Sequence, residues 1–188
     1  NIAVDTNGSI HPFDYLVLAC GVKPRKFVCD GIESIGRVHT CAVCDGGLYG
    51  KADEVVVIGG GDTAFGDALY LSNIVGTVHL VSRREQYRIT NTSVLDKVKS
   101  TGNIVIHAPR TIVEVADVTD KCIICSMDNG ERLCANAIFS CIGYEPNTID
   151  VADCDNVFKC GVCVEKYHQV SVAVGSGAKV ALDIIGSH

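Results

Sequence analysis

The stretch that decides the fold is EVVVIGGGDTAFGDALYLSNIVGTVHLV, residues 54–81. Its first five residues are typical of a buried strand, and the three glycines that follow end that strand. Apolar residues at helical spacing continue over residues 62–73, and residues 77–81 return to a strand pattern. A strand, a glycine turn, a helix and a second strand in so short a segment predict a βαβ unit with parallel strands.

The glycine turn of this unit has the pattern of a dinucleotide-binding site. Gly59 would permit the tight turn, Gly61 would let the backbone approach a pyrophosphate, and Ala64 would allow close helix packing. The helix that begins with Asp62 and Thr63 would point its unpaired amides at the phosphates. Because the chain has 19 glycines, the prediction depends on the strand before the motif and the helix after it.

The residues that follow the second strand indicate which dinucleotide is bound. NAD-binding proteins usually carry an acid here, which hydrogen-bonds the ribose 2′-hydroxyl. This chain instead has Ser82, Arg83 and Arg84, with Arg88 one helical turn later. Guanidinium groups suit a 2′-phosphate, so the pattern favours NADPH. The alternative is a solvated basic turn with no ligand.

The chain has eleven cysteines, and three pairs of them have C-x-x-C spacing, whereas fewer than one such pair is expected by chance. Cys41 and Cys44 lie in a segment without a strand pattern, directly before the dinucleotide motif, and Asp45 follows them. A four-residue ring suits reversible disulfide exchange, and a neighbouring carboxyl can exchange the proton that a leaving thiolate needs. We therefore predict that Cys41 and Cys44 form a redox pair assisted by Asp45.

The other two pairs are weaker candidates for a function. Cys122 and Cys125 lie in a predicted strand, where residues three apart point to opposite faces, so a structural role is expected. Cys160 and Cys163 are ambiguous. Zinc held by these four cysteines would have the right number of ligands, but the strand geometry disfavours it, and no metal site is predicted.

Composition argues against several functional classes. The net charge of −6 and the lack of long basic runs argue against nucleic acid or an anionic membrane as a partner. No apolar run approaches the roughly 20 residues that span a bilayer, and no signal-peptide pattern opens the chain. The odd number of cysteines, most of them in apolar runs, favours a reducing compartment, and we expect a cytoplasmic protein. Because the chain begins with Asn1, it is either processed or part of a longer protein.

Periodicity and turn signals predict the elements outside the βαβ unit. They are a hairpin over residues 2–18 that includes an apolar strand at 15–19, a helix over 93–99, strands over 104–107, 111–115, 121–126 and 132–141, and a C-terminal helix over 170–185. The fold class predicted is α/β.

Together these motifs resemble those of the low-molecular-weight thioredoxin reductases. CAVCDG at 41–46 is similar to the family's redox motif, and GGGDTA at 59–64 with the arginine cluster resembles its NADPH domain. IGYEPNT at 142–148 resembles the segment that closes that domain. The resemblance implies a Rossmann-like, three-layer NADPH-binding domain over residues 25–147. Partial FAD-domain segments at residues 1–24 and 148–188 would flank it.

The resemblance also implies roles for individual residues. Cys41 would be the attacking thiol, Cys44 the thiol nearer flavin, and Asp45 the proton donor. The residues implied to contact the cofactors are Ile142 and Gly143 in the closing segment, and Gly21, His168, Gln169 and Val170 near flavin. The family's N-terminal nucleotide-binding half, with its own glycine motif, has no counterpart in this chain.

The activity implied by the resemblance is NADPH-dependent reduction of a protein disulfide. NADPH would reduce FAD, FAD would reduce the Cys41–Cys44 disulfide, and the dithiol would reduce thioredoxin or a similar small redox protein. A homodimer is one assembly open to such a chain. Two alternatives stay open: a truncated NADPH-binding module without independent turnover, and a peroxiredoxin-reducing flavoprotein subunit.

Overall fold

The computed structural model describes residues 1–119, 121–147, 149, 151 and 154–186. The chain divides into two compact units. The central unit comprises Arg25–Gly143, and the flanking unit comprises Asn1–Pro24 together with the residues from Tyr144 onwards. Each unit is described by itself below.

The described residues form fourteen strands and four α-helices. In chain order they are β1 (Ile2–Val4), β2 (Ile10–Pro12), β3 (Leu16–Leu18), β4 (Val22–Pro24), β5 (Val38–His39), α1 (Ala42–Asp45), β6 (Glu54–Ile58), α2 (Asp62–Ser72), β7 (Thr77–Val81), α3 (Thr92–Ser100), β8 (Ile104–His107), β9 (Ile112–Thr119), β10 (Cys122–Met127), β11 (Arg132–Ala135), β12 (Ala137–Ser140), β13 (Tyr144–Pro146), β14 (Val157–Lys159) and α4 (Val170–Gly186). Short 3₁₀ turns occur at Ile32–Ser34, Gly46–Leu48 and Gly161–Cys163.

The central unit is built on a five-stranded sheet in the order β5-β12-β6-β7-β8. Every pairing in it is parallel, and β6, α2 and β7 form the predicted βαβ unit at its centre. A parallel sheet is stable only when both of its faces are covered. The near-continuous run of valines in β6 fits this position, because side chains on both faces are buried.

Different elements pack against the two faces of the sheet. Val55 and Val57 pack with α2 and α3 in one core, which includes Phe65 and Leu71. Val56 and its neighbours on the opposite face pack against the antiparallel sheet β11-β10-β9 in a second core. Helices, parallel sheet and antiparallel sheet therefore make three layers, and the predicted α/β class is confirmed.

The single strand predicted over residues 132–141 is wrong, because the chain changes sheets within it. β11 belongs to the antiparallel sheet and β12 to the parallel sheet. Asn136 makes the transition: its Oδ1 accepts a hydrogen bond from Glu54 N, and its Nδ2 donates to Lys121 O. These contacts satisfy the polar groups at the break, so an apolar run that looks continuous can serve two sheets.

The flanking unit contains the second correction. The predicted hairpin is limited to β1 and β2, whose turn is closed by the Asp5 carboxylate accepting from the amides of Asn7 and Ser9. β3 instead pairs in parallel with β14, and β4 pairs with β13. The apolar strand predicted at residues 15–19 is therefore not part of the hairpin, and its partner lies far away in the sequence. The predicted C-terminal helix is confirmed as α4.

Candidate functional site

The glycine turn after β6 is shaped by close packing in the central unit. Gly59 has φ of 154°, and a Cβ built on it would lie 2.5 Å from the carbonyl oxygen of Cys141 and 2.8 Å from Ala64 Cβ. A Cβ on Gly60 would lie 2.6 Å from Ser82 Oγ. The chain therefore needs glycine at position 59, for both conformation and contact, whereas a side chain at position 60 would require the Ser82 hydroxyl to move.

Helix α2 begins directly after this turn. Gly61 is its N-cap and supplies no side-chain cap. The first residues of the helix, Asp62 and Thr63, are exposed, whereas Ala64 is fully buried beneath the turn. A helix start without a side-chain cap leaves amide donors available to an anion such as a phosphate.

The loop after β7 is fastened to the glycine turn. Arg88 N donates to Gly60 O at 2.7 Å. The Asp62 carboxylate accepts from the amide and the hydroxyl of Thr90, and these bonds lower the pKa of Asp62. Asp62 thus holds the arginine loop against the helix start, a role that its sequence position did not reveal.

Three arginine side chains lie in or beside this loop. Arg83 and Arg84 follow the end of β7, which lies beside the end of β6, and Arg88 follows them. All three are exposed, and within the described part of the chain none of them forms a salt bridge. The predicted arginines are therefore near the glycine turn, and no described carboxylate forms a salt bridge with them.

The second centre of the unit is the pair Cys41 and Cys44, which form a disulfide with their Cα atoms 5.3 Å apart. Cys41 is the N-cap of α1, and its Sγ accepts a hydrogen bond from Cys44 N at 3.1 Å. Cys44 is exposed and Cys41 is half-buried. A sulfur at a helix start lies where the backbone amides favour a thiolate.

The carboxyl of Asp45 is held by a residue that the sequence analysis missed. Its Oδ2 lies 3.1 Å from His39 Nδ1, and His39 Nε2 hydrogen-bonds the Tyr49 hydroxyl at 2.7 Å. The imidazole stacks on Phe139, with ring centroids 5.0 Å apart. The only signal for this contact in the sequence was a histidine two residues before Cys41.

Two unpredicted contacts involve α2. Asp67, in the middle of α2, accepts a hydrogen bond from the Cys141 thiol at 3.2 Å. Ala42 of α1 is buried in the same core as Phe65 and Leu71 of α2. Burial raises the pKa of Asp67, and burial together with the Asp67 charge raises the pKa of the Cys141 thiol. Helix α1, which contains Cys44, therefore packs against the helix that starts at the glycine turn.

The remaining predicted cofactor residues are spread over both units. In the central unit, Ile142 packs on the core beneath the antiparallel sheet, and Gly143 has φ of 100° and accepts a hydrogen bond from Arg25 N. In the flanking unit, Gly21 has φ of 68°, and His168 contacts the Tyr144 ring edge to face. Gln169 and Val170 are exposed at the start of α4. The described flanking residues contain no glycine-rich βαβ turn of their own.

The other cysteines do not extend the site. Cys122 and Cys125 lie on opposite faces of β10, as predicted, and Cys122 is bonded to Cys134 of β11. Burial raises the pKa of Cys125 to about 12. Among the residues that the structure describes, no three histidine, cysteine or acidic side chains cluster as metal ligands would. None of the described helices is both long and apolar enough to cross a bilayer.

Comparison with known proteins agrees with this geometry. Residues 2–172 match the family model of the pyridine nucleotide-disulphide oxidoreductases. A thioredoxin reductase of Escherichia coli O157:H7 is 40% identical over 148 residues, which cover 72% of this chain and 45% of that protein. One from Vibrio cholerae is 32% identical over 206 residues, covering 90% of this chain and 64% of the relative.

Solved structures give the same result. Lactococcus lactis thioredoxin reductase superposes with a TM-score of 0.77 at 25% identity, over 93% of this chain and 66% of that one. Thioredoxin reductase from Giardia duodenalis superposes with a TM-score of 0.70 at 30% identity, over 95% and 67%. The chain spans about half to two thirds of the length of these relatives. With a glycine turn and a cysteine pair in one α/β unit, the chain belongs to the pyridine nucleotide-disulphide oxidoreductase family.

Proposed function

We propose that this chain carries the NADPH-binding and dithiol parts of a thioredoxin-reductase-type enzyme. It would pass electrons from NADPH, through FAD, to the Cys41–Cys44 disulfide and on to a protein disulfide. The observation that carries the proposal is the coupling of two centres in one unit. Cys41 caps α1, and Ala42 of α1 is buried in the same core as Phe65 and Leu71 of the helix that follows the glycine turn.

The nicotinamide cofactor fits the residues present. The backbone at Gly59 and Gly61 and the uncapped start of α2 would receive the pyrophosphate. Arg83 and Arg84 would bind the 2′-phosphate, with Arg88 beside them. Their exposure supports this assignment, because a ligand phosphate would not compete with a protein carboxylate already bound to them.

The flavin fit is incomplete in the described residues. FAD, when bound, supplies the step between a two-electron hydride donor and a disulfide. The flanking unit offers Gly21 and the exposed residues His168, Gln169 and Val170, but its described part lacks a second dinucleotide turn. The flavin part of the proposal therefore depends on the relatives, which are longer than this chain.

The exchange with a partner can be written from the chain's own residues. The Cys41 thiolate attacks one sulfur of the partner disulfide, a Cys41–partner bond forms, and the partner's other sulfur leaves as a thiolate and takes a proton. The Cys44 thiolate then attacks Cys41 Sγ, the intrachain disulfide returns, and the second partner thiolate is protonated. The two protons are those of the original dithiol, and the Asp45 carboxyl would transfer one of them.

Thioredoxin or a similar small redox protein is the proposed partner. The relatives are named thioredoxin reductases, and one from Mycobacterium leprae is a bifunctional thioredoxin reductase/thioredoxin. A reducing compartment such as the cytoplasm suits an enzyme that must keep returning to its dithiol form. A homodimer is the proposed assembly.

The test is reduction of the pair by NADPH. The purified chain is incubated with FAD, NADPH is added without oxygen, and free thiols are read peptide by peptide after alkylation. We expect Cys41 and Cys44 to become reduced only when both cofactors are present. The free thiol of the buried Cys125 is an internal control, and its labelling after unfolding should be the same in every sample.

The second candidate function is an NADPH-binding module without turnover. The incomplete flavin site in the described flanking residues favours it. It predicts that NADPH binds while Cys41 and Cys44 stay oxidised, whatever FAD is added. That result would contradict the first proposal.

A further inference from the structure

The flanking unit contains a second pair of cysteines at C-x-x-C spacing, which the proposed function does not use. Cys160 and Cys163 are both free thiols; Cys160 is buried and Cys163 is half-buried. A buried free cysteine by itself is an ordinary small apolar residue. The pair can therefore have a redox role only if the fold brings its two sulfurs together.

The backbone places the two cysteines one turn apart. Cys160 is the N-cap of the 3₁₀ turn Gly161–Cys163 and has an extended conformation, with φ of −148° and ψ of 172°. Residues three apart in a 3₁₀ turn are eclipsed, and a rise of about 2 Å per residue separates their Cα atoms by about 6 Å. Disulfides join Cα atoms that are about 4.4–6.8 Å apart. The spacing of such a turn therefore lies within the range that a disulfide requires.

The sulfur of Cys163 is directed back onto residue 160. Its Sγ lies 3.0 Å from Cys160 O, and the thiol donates a hydrogen bond to that carbonyl. The same Sγ lies 3.9 Å from Leu18 O in β3, which also accepts a hydrogen bond from Cys160 N at 3.0 Å. Both cysteines thus contact one carbonyl oxygen, and a change of rotamer suffices to bring one sulfur to the other.

Bonds that do not involve the thiols hold this turn in place. β14 ends at Lys159, directly before the turn, and pairs in parallel with β3. On the other side, Gly161 N donates to Ser176 Oγ of α4 at 3.1 Å. Oxidation of the pair would remove only the bonds that Cys163 Sγ donates. The turn can therefore keep its anchors to β3 and α4 in both redox states.

The arrangement is similar to that of the redox pair in the central unit. Cys41 is also an N-cap in extended conformation, and Cys44 follows it within the first turn of a short helix. These two cysteines are joined, with their Cα atoms 5.3 Å apart. Cys122 and Cys125 have the same spacing but lie on opposite faces of β10 and are not joined to each other. Spacing alone thus does not make a redox pair in this chain, whereas an N-cap cysteine followed by a turn does.

We propose that Cys160 and Cys163 are a second redox pair, which a low-molecular-weight disulfide such as glutathione disulfide oxidises to an intrachain disulfide. A small molecule suits the site because the sulfur of a half-buried cysteine is open to a short chain but not to a broad protein surface. The reaction requires neither NADPH nor FAD. The inference therefore goes beyond the proposed function and does not depend on it.

The exchange begins at the more accessible cysteine. The Cys163 thiolate attacks one sulfur of the small disulfide, a mixed disulfide forms on Cys163, and one small thiolate leaves and takes the proton that Cys163 has lost. The Cys160 thiolate then attacks Cys163 Sγ, the Cys160–Cys163 bond forms, and the second small thiolate leaves and takes the proton of Cys160. Two protein thiols are oxidised, and the small disulfide is reduced to two thiols.

The test uses the whole chain without NADPH, FAD or a partner protein. The chain is reduced, the reductant is removed, and glutathione disulfide is added without oxygen. The remaining thiols are alkylated, and tryptic peptides are analysed by mass spectrometry without reduction. Trypsin cleaves after Lys159 and Lys166, so one peptide contains Cys160 and Cys163 and no other cysteine.

The other two C-x-x-C pairs of the chain are the controls. Cys41 and Cys44, which the structure shows joined, should form their disulfide again under these conditions. Cys122 and Cys125 have the same spacing on a strand, and their peptide should not acquire a bond between these two residues.

The expected product is the internal disulfide rather than a glutathione adduct. The peptide with a Cys160–Cys163 bond should exceed the same peptide with glutathione on Cys163 by at least about tenfold, because attack within an oriented pair is faster than attack by a second molecule. In the variant Cys160→Ala, glutathione should instead remain on Cys163, because the thiol that displaces it has been removed.

The original chain alone decides the outcome, so unfolding of the Cys160→Ala variant would not hide it. Two free thiols in the peptide, or a lasting glutathione adduct on Cys163, would overturn the proposal if Cys41 and Cys44 have formed their disulfide in the same sample. A bond from Cys160 to any cysteine other than Cys163 would overturn it as well. Failure of NADPH to reduce Cys41 and Cys44 would instead refute the proposed function and leave this result unaffected.

Discussion

Replacing Arg83 and Arg84 together by alanine tests the cofactor assignment. Both side chains are exposed and neither pairs with a described carboxylate, so their removal leaves no buried partner without a bond. Folding stability should therefore change by no more than about 0.5 kcal/mol. Any large effect on NADPH binding then reports contact with the ligand.

The size of that effect follows from the number of contacts. One hydrogen bond to a charged group contributes about 1.5–3 kcal/mol, and two at the lower value give about 3 kcal/mol. That loss weakens NADPH binding by about a hundredfold or slightly more. NADH has no 2′-phosphate, so its affinity should change by less than about twofold.

The assay is calorimetric titration of each dinucleotide into the purified chain at one salt concentration. Lys97→Ala with Lys99→Ala is the matched control, because it removes the same charge from exposed positions in α3. The control should bind NADPH within about threefold of the original chain, since long-range attraction between exposed charges is screened by salt. Equal losses for NADPH and NADH, or no loss for either, would refute the 2′-phosphate assignment.

Three further predictions follow from geometry already given. Gly59→Ala should destabilise the central unit by about 2–4 kcal/mol through overpacking and strain, whereas Gly66→Ala, whose added Cβ meets nothing within 4 Å, should stabilise it by about 0.5–1 kcal/mol. Urea unfolding measures both variants, and equal unfolding midpoints would contradict the packing argument. Because folding lowers the pKa of Asp62, its contribution to stability is present above the unfolded-state pKa of 3.8 and is lost as the pH falls through the folded-state pKa. Asp62→Asn should therefore flatten that part of a curve of unfolding free energy against pH. Cys44→Ser should trap a disulfide partner on Cys41, read by mass spectrometry, and trapping only by the Cys41→Ser variant would reverse the roles assigned to the two thiols.

The sequence predicts features of this fold that depend on neighbours along the chain. The glycine turn, α2 and the flanking strands β6 and β7 follow from local periodicity and from glycine conformation. The opposite orientation of Cys122 and Cys125 follows from the alternation of a strand. In each case the sequence pattern and the structural feature that it predicts lie within a few residues of each other.

Features that depend on distant residues could not be read in the same way. The break at Asn136 requires knowing that Glu54 and Lys121 lie beside it, and the pairing of β3 with β14 joins the two ends of the chain. The packing of Ala42 against Phe65 and Leu71 likewise brings together two helices whose separation depends on the core. No periodicity encodes such contacts, because they arise from packing.

The order of strands in the parallel sheet has a consequence for synthesis on the ribosome. β5 lies at the edge of the sheet, and within the described chain its one strand partner is β12, residues 137–140. The strand that leads into the redox helix therefore cannot dock until residues made much later have emerged. Until then the segment that carries Cys41 and Cys44 lacks its strand partner, and its thiols can exchange with the disulfides of other molecules. We therefore expect the native disulfide to form late, after β12 has been synthesised and the parallel sheet is complete.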